Sequence, residues 1–362
     1  MTSVNPWDGS FASGLNNFQD AIEKSCRDFI DSQAPLLVGL GDDGAALLEA
    51  ARRSLSGGKR LRASFCWWGY EAVRPSTDTN ALLRACAALE FLHASALVHD
   101  DYMDSSAMRR GYPATHEAFA NKHRVHEWAG DPAMYGASAA ILLGDLLLSW
   151  ADEALRTCGL PDRDVLAGLR IFDVTRTEVV VGQFLDVSAQ ARSTRDVDLA
   201  MTVLRYKSAK YSIERPLHLG AALADGSTDQ QAALTAFGIP LGEAFQLRDD
   251  VLGIFGDPAV TGKPAGDDLR EGKRTVLTAF ALQNLEPTDA QRLDTALGTD
   301  LSEGEAAALC ALIESSGARA KVEELIAQLT EQSLAALDQA PIAEPARESL
   351  RALAYAATQR NV

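Results

Sequence analysis

Glu90-Phe91-Leu92-His93-Ala94-Ser95-Ala96-Leu97-Val98-His99-Asp100-Asp101-Tyr102-Met103-Asp104 decides the fold class, because an apolar stretch with helical spacing runs directly into three carboxylates. Residues three and four apart share a helix face. Asp100 and Asp104 therefore project together, with Asp101 beside them. Carboxylates crowded on one apolar helix repel each other unless a cation stands between them. A second acidic pair lies far along the chain in Phe245-Gln246-Leu247-Arg248-Asp249-Asp250-Val251-Leu252-Gly253, again on a helical pattern. Hard divalent cations prefer oxygen ligands and are often shared with substrate phosphates. Two such faces turned towards one cavity would hold a phosphate–metal cluster between them.

Outward from these clusters the pattern stays helical. From Leu15 onward apolar residues recur at helical spacing, and strand-like alternation is nearly absent. The helix candidates are 15–34, 43–55, 60–73, 79–105, 113–122, 136–157, 163–190, 197–225, 229–255, 274–284, 288–297, 303–315, 317–338 and 343–359. Turn chemistry separates them at Ser56-Gly57-Gly58, Pro75-Ser76, Gly130-Asp131-Pro132, Gly159-Leu160-Pro161 and the Gly256 to Gly272 stretch. No Pro/Gly/Ser-rich linker divides the chain. The expectation is an all-α bundle, a single domain over residues 15–362 behind a loose tail at 1–14.

The chain has 362 residues and a net charge of −16, which argues against a nucleic-acid binder and suits solubility. Cys26, Cys66, Cys86, Cys158 and Cys310 are odd in number and form no C-x-x-C pair. That fits a reducing cytoplasm rather than a disulfide scaffold. The N-terminus lacks the basic and apolar regions of a secretory signal. The longest apolar run, around 137–148, is interrupted by Gly144 and Asp145, so no transmembrane segment is expected.

Basic residues gather near the acidic ones. Arg109-Arg110-Gly111-Tyr112-Pro113 follows the first cluster, and its guanidinium groups suit either carboxylates or phosphates. Ser56-Gly57-Gly58-Lys59-Arg60-Leu61-Arg62 opens a helix, where backbone amides favour anions. After the second cluster come Gly262-Lys263-Pro264, Gly266-Asp267-Asp268 and Gly272-Lys273-Arg274, a stretch suited to closing over an anion or to being an ordinary exposed loop. His123 and His126 are three apart but have no Cys partner, which speaks against zinc. Trp67-Trp68 reads as packing.

Five motifs in order resemble the trans-isoprenyl diphosphate synthase, or polyprenyl synthetase, family. They are Gly57-Gly58-Lys59 with Arg62, Asp100-Asp101-x-x-Asp104 with Arg109-Arg110-Gly111, Gly182-Gln183-x-x-Asp186, Lys207-Ser208, and Phe245-Gln246-x-x-Asp249-Asp250. The resemblance runs from about Leu15 to the C-terminus and implies an all-α homodimer with a deep central cavity in each subunit. It implies head-to-tail joining of an allylic diphosphate (dimethylallyl, geranyl or farnesyl) to isopentenyl diphosphate, with magnesium as cofactor and manganese as a substitute. Asp100, Asp101 and Asp104 would hold metal on one side of the allylic diphosphate, Asp249 and Asp250 on the other. Arg109, Lys207, Gln183 and Lys263 would contact that diphosphate. Lys59, Arg62, His93 and Arg110 would take isopentenyl diphosphate. Ser208, Gln183 and Gln246 would offer oxygen dipoles to the allylic cation while Lys207 holds phosphate. The released diphosphate would accept the last proton.

The resemblance also sets expectations for product length. Ser95 and Ala96, one turn before the first cluster, would form the floor of the chain tunnel. Both are small, so the tunnel should run on to Leu92 and Leu89, which implies geranylgeranyl diphosphate rather than farnesyl. Farnesyl and longer products are the alternatives, then a class I terpene cyclase, then a non-catalytic partner subunit. One position departs from the family pattern: Gly253 stands where the second motif has its third Asp. Asp257 is a candidate substitute, although its place beside Pro258 suits a turn.

Overall fold

The computed structural model describes residues 5–7, 11–257 and 266–359. Helix α4, Thr79–Met103, is buried along most of its length. It starts where the Asp78 carboxylate accepts the Ala81 amide at 2.9 Å, satisfying an otherwise orphaned donor. Its apolar residues point all round the helix, so it must be enclosed. The other helices of this part of the chain are α1 (Phe11–Val38), α2 (Asp42–Ser54), α3 (Leu61–Glu71), α5 (Thr115–Val125), α6 (Pro132–Arg156), α7 (Asp162–Ala191), α8 (Val197–Leu204), α9 (Arg215–Leu223) and α10 (Thr228–Phe255), of which α1, α3, α5 and α6 pack on α4. A π-helical segment, Arg205–Glu214, joins α8 to α9. Then come α11 (Asp267–Arg270), α12 (Val276–Asn284), α13 (Pro287–Ala296), α14 (Glu303–Ser315), α15 (Ala318–Gln339) and α16 (Glu344–Thr358). The strand content among the described residues is one hairpin, β1 (Met108–Arg109) against β2 (Tyr112–Pro113). The all-α expectation holds.

Two apolar clusters build the core. The larger includes Phe18, Trp67, Leu89, Phe91, Leu147, Phe172, Leu217 and Phe237. The smaller includes Leu247, Val251, Leu269, Leu277, Leu293, Ile313 and Val322. Helix α10 contributes to both, so its inner face is held on two sides. Its start is fixed by a capping box between Ser227 and Gln230.

Several boundaries differ from the sequence reading. Helix α1 begins at Phe11, and Trp7 is only 9 % exposed, so the expected loose tail contributes to the core. The Trp7 ring lies 5.1 Å from those of Phe18 and Trp68, burial that outweighs the polar, Pro-containing sequence around it. Gly14 permits this approach, since a Cβ there would stand 3.0 Å from the Trp7 Cα. The candidate 197–225 is divided by the π segment, and 113–122 starts late because Tyr112–Pro113 belong to the hairpin. Helices α4 and α6 are each long and apolar enough to cross a bilayer, the latter longer than its interrupted apolar run suggested. Helix α4 is enclosed by its neighbours, whereas α6 leaves Ile141 and Leu142 exposed.

Candidate active site

The first acidic cluster ends α4. Carboxylates at a helix C-terminus meet the negative end of its dipole, which adds to their mutual repulsion. The fold answers with side-chain cations. Lys207 Nζ stands 3.3 Å from Asp100 Oδ1 and 2.6 Å from Asp186 Oδ2. Gln183 Nε2 donates to Asp100 Oδ1 at 2.7 Å. Arg109, on β1, donates to Asp101 Oδ1 from Nε at 2.8 Å and from a second guanidinium nitrogen. Lys273 Nζ lies 3.9 Å from Asp104 Oδ2 and 3.3 Å from Asp268 Oδ1, and also pairs with Glu271.

The motif around Gly182 has a local explanation. A Cβ at Gly182 would lie 2.6 Å from the Tyr206 carbonyl carbon and 2.7 Å from the Lys207 Cα. Only a glycine lets the π segment press this closely on α7. That contact, with the widened π turn, carries Lys207 into reach of Asp186 and Asp100. Ser208 follows on the same segment, half-buried.

The second cluster splits in two. Asp249 is exposed, whereas Asp250 is buried and accepts from Gln246 Nε2 at 2.8 Å, one turn back on α10. Asp268 comes from α11 and occupies the space beside Gly253. Lys273 therefore links Asp268, beside Gly253 at the end of the second cluster, with Asp104 of the first, which brings the two acidic clusters close together. Asp257, the substitute considered from sequence, is exposed. Lys263 lies outside the described residues.

Charges respond to this crowding. Burial, then the neighbouring Asp100, pushes the Asp104 carboxyl up to about 7. Burial also opposes ionisation of Asp100, but Lys207 and Lys273 outweigh it and hold its carboxyl below the ordinary value. Burial, Asp268 and Asp249 drive Asp250 well above the usual carboxylate range. Asp104 Oδ2 is buried without a hydrogen-bond donor. An all-oxygen donor set with an orphaned, buried acceptor fits a hard divalent ion. Among the described residues no three His, Cys, Asp or Glu side chains already form a closed metal cage. The ammonium groups of Lys207 and Lys273 stand between the carboxylates instead. Magnesium-type sites need only one or two carboxylates when phosphate supplies the remaining oxygens.

Beside the first cluster, Arg62, Arg110 and Arg109 gather around His93. Arg62 donates to Ser212 Oγ at 2.8 Å and lies 4.3 Å over the Tyr211 ring. His93 Nδ1 is 3.1 Å from the Tyr211 hydroxyl. Burial, then the charges of Arg62 and Arg110, lowers the His93 pKa well below its ordinary value, so the ring is neutral at pH 7. Arg110 donates to the Ser56 carbonyl at 2.5 Å, which ties the hairpin to the Gly57-Gly58 turn. Lys59 is exposed. Arg60, between Lys59 and Arg62, turns inward in a left-handed conformation (φ 51°) and forms a buried ion pair with Glu90 at 2.9 Å. Its role is to anchor the loop; breaking such a pair costs about 3–5 kcal/mol.

Ser95, Leu92 and Leu89 are buried in α4, and Ala96 is half-buried. A cavity of about 250 Å³ opens on the neighbouring face of α4, lined by Ala94, Leu97, Val98, Phe119 and Arg109. His123 and His126 each bond a backbone carbonyl, of Ala129 and Lys122, and build no metal site.

Sequence reading gave Lys273 only a place on a stretch that could close over an anion, and left Asp268, Glu271 and Tyr211 without roles. The first three sat in a stretch rich in Gly, Asp and Lys that read equally well as an exposed loop. Tyr211 was hidden inside the long candidate 197–225, where a uniform α-helix would have aimed it elsewhere.

Residues 45–313 match the family model described as polyprenyl synthetase. The fold superposes with a TM-score of 0.93 on the geranylgeranyl pyrophosphate synthase of Corynebacterium glutamicum, solved in complex with isoprenyl diphosphate and magnesium. The two are 41 % identical over 96 % of this chain and 99 % of that one. A (2E,6E)-farnesyl diphosphate synthase of Mycobacterium tuberculosis is 32 % identical over 72 % of this chain and 68 % of its own length. A geranylfarnesyl diphosphate synthase of Aeropyrum pernix is 30 % identical over 73 % and 77 %. These relatives share a reaction class and differ in product length. With two acidic clusters linked by lysines and arginines gathered close by, the chain belongs to the polyprenyl synthetase family and is a prenyltransferase that makes trans-prenyl diphosphates.

Proposed function

We propose that this chain condenses isopentenyl diphosphate with an allylic diphosphate to geranylgeranyl diphosphate, using magnesium, as a cytoplasmic homodimer. The observation that supports the site assignment is the bridge from Asp104 through Lys273 to Asp268, which lies beside Gly253 at the end of the second cluster. Asp100, Asp101, Asp104, Asp249 and Asp250 hold the metal ions. Those ions, when bound, neutralise charge that collects on the departing diphosphate. Lys207, Arg109 and Lys263 grip the same group, and Gln183 orients Asp100. Arg62, Lys59 and Arg110 bind isopentenyl diphosphate, with neutral His93 and Tyr211 shaping the pocket. The allylic C–O bond breaks, and the double bond of isopentenyl diphosphate attacks the cation. The proton then lost goes to the released diphosphate, so no protein base is assigned.

The small side chains of Ser95 and Ala96 support the product length, as does likeness to a geranylgeranyl enzyme at 41 % identity. The exposed Ile141 and Leu142 on α6 and Val180, Val181 and Phe184 on α7 support dimerisation, because a monomer rarely leaves so many large apolar groups in water. The test is incubation of purified protein with labelled isopentenyl diphosphate and each allylic primer, followed by product analysis. Geranylgeranyl diphosphate as the main product is expected. A farnesyl end-product overturns the length assignment, and turnover of an allylic diphosphate without isopentenyl diphosphate overturns the condensation itself.

A further inference from the structure

We infer that Asp268 is the third metal-holding carboxylate of the second acidic cluster, reaching from α11 into the space that Gly253 leaves open on α10. The inference rests on the reading of this hollow as a metal–diphosphate site. The first cluster places its carboxylates at positions i, i+1 and i+4 (Asp100, Asp101 and Asp104). The second repeats i and i+1 with Asp249 and Asp250, but position i+4 is Gly253. A side chain at 253 would project beside Asp249 and Asp250, three and four residues away on the same face. That volume is already filled. A Cβ built on Gly253 would overlap Asp268 Oδ2, lie 2.5 Å from its Cγ and 3.0 Å from its Oδ1.

The backbone gives no other reason for a glycine. Gly253 lies inside α10 and is not among the residues with positive φ. A helix interior disfavours glycine relative to alanine, so the missing side chain costs helix stability while making room for the Asp268 carboxylate. Asp268 is buried. Its other oxygen faces Lys273 at 3.3 Å, and Lys273 stands 3.9 Å from Asp104 Oδ2, a buried acceptor with no hydrogen-bond donor. Asp268 thus sits both where the i+4 carboxylate would be and on the line joining the two walls.

The experiment titrates Mn2+ into the full-length protein with inorganic diphosphate present and follows water-proton relaxation, with the thermal midpoint of the metal-free protein measured alongside. Asp268→Asn should weaken diphosphate-dependent Mn2+ binding by about tenfold or more, the range found when groups supporting metal ligands are removed, at a temperature where the metal-free midpoint shows the variant folded. Gly253→Ala should weaken it comparably, since the added methyl group displaces Asp268. The double variant Gly253→Asp with Asp268→Gly should recover binding to within a few-fold of wild type. Wild-type affinity in both Asp268→Asn and Gly253→Ala overturns the inference. Undiminished binding in Gly253→Ala with loss in Asp268→Asn overturns the steric link. A wild-type protein that binds no Mn2+ with diphosphate overturns the functional reading as well, and is told apart by that result.

Discussion

On the proposed function, Ser95 is where product length should be decided, because an aromatic ring there would occupy the space proposed for the growing chain ahead of Asp100. Ser95→Phe should shift the main product from geranylgeranyl to farnesyl diphosphate while turnover persists, as read by chromatography of the dephosphorylated prenols; an unchanged product would remove Ser95 from the floor. A different residue governs acid stability. Burial raises the Asp294 carboxyl, but hydrogen bonds and charge from Arg274 and Arg195 outweigh it and hold it below the ordinary carboxylate value. A depressed pKa contributes stability above the unfolded-state value, and that contribution disappears as pH falls through the folded-state value. Wild type should therefore lose more of its thermal midpoint than Asp294→Asn when pH drops from the neutral range to below about 4. Parallel curves for the two proteins would show that the pair contributes nothing to the acid response. The individual aspartates of both clusters were legible in the sequence because charge on an apolar helix is rare. Arg60 was not: its inward turn depends on a left-handed backbone and on Glu90, thirty residues away in sequence.

The π segment Arg205–Glu214 is the element on which the site's geometry turns. Gly182→Ala adds a methyl group against the backbone of Tyr206 and Lys207, which cannot swing aside as a side chain would. The alanine gains up to about 1 kcal/mol in helix propensity, but overpacking of this kind costs about 1–3 kcal/mol. Net destabilisation by denaturant titration is expected, together with a fall in kcat as Lys207 shifts away from Asp100. A more stable and fully active variant would show that the close approach is dispensable. Periodicity found nearly all the long helices, since 3.6-residue patterning survives wherever one face is buried. It missed the π turn because apolar spacing changes little over ten residues. It placed the start of α1 late because burial of Trp7 depends on Trp68, a contact no local pattern contains. The Gly256 to Gly272 stretch read as a break, yet α11 lies at its end and brings Asp268 to the site.

At the scale of the whole molecule, the exposed apolar residues of α6 and α7 should meet a second copy. Phe184, on α7 close to Gln183 and Asp186, is 69 % exposed. Phe184→Glu should convert a dimer to a monomer by light scattering, and activity should fall, since the same helix carries both site residues; a wild-type molar mass for a monomer would sink the assignment. Lys207 and Lys273 have a last consequence for how the hollow fills. In the resting protein each ammonium already serves as counter-ion to a carboxylate. Neither lysine can leave that carboxylate at low cost until another anion receives it. On the proposed function diphosphate oxygens would be that anion, so ligand entry and the freeing of Asp100 and Asp104 would be one act of partner exchange. Neither event should proceed far alone, which makes simultaneous arrival of cation and diphosphate the expected order of loading.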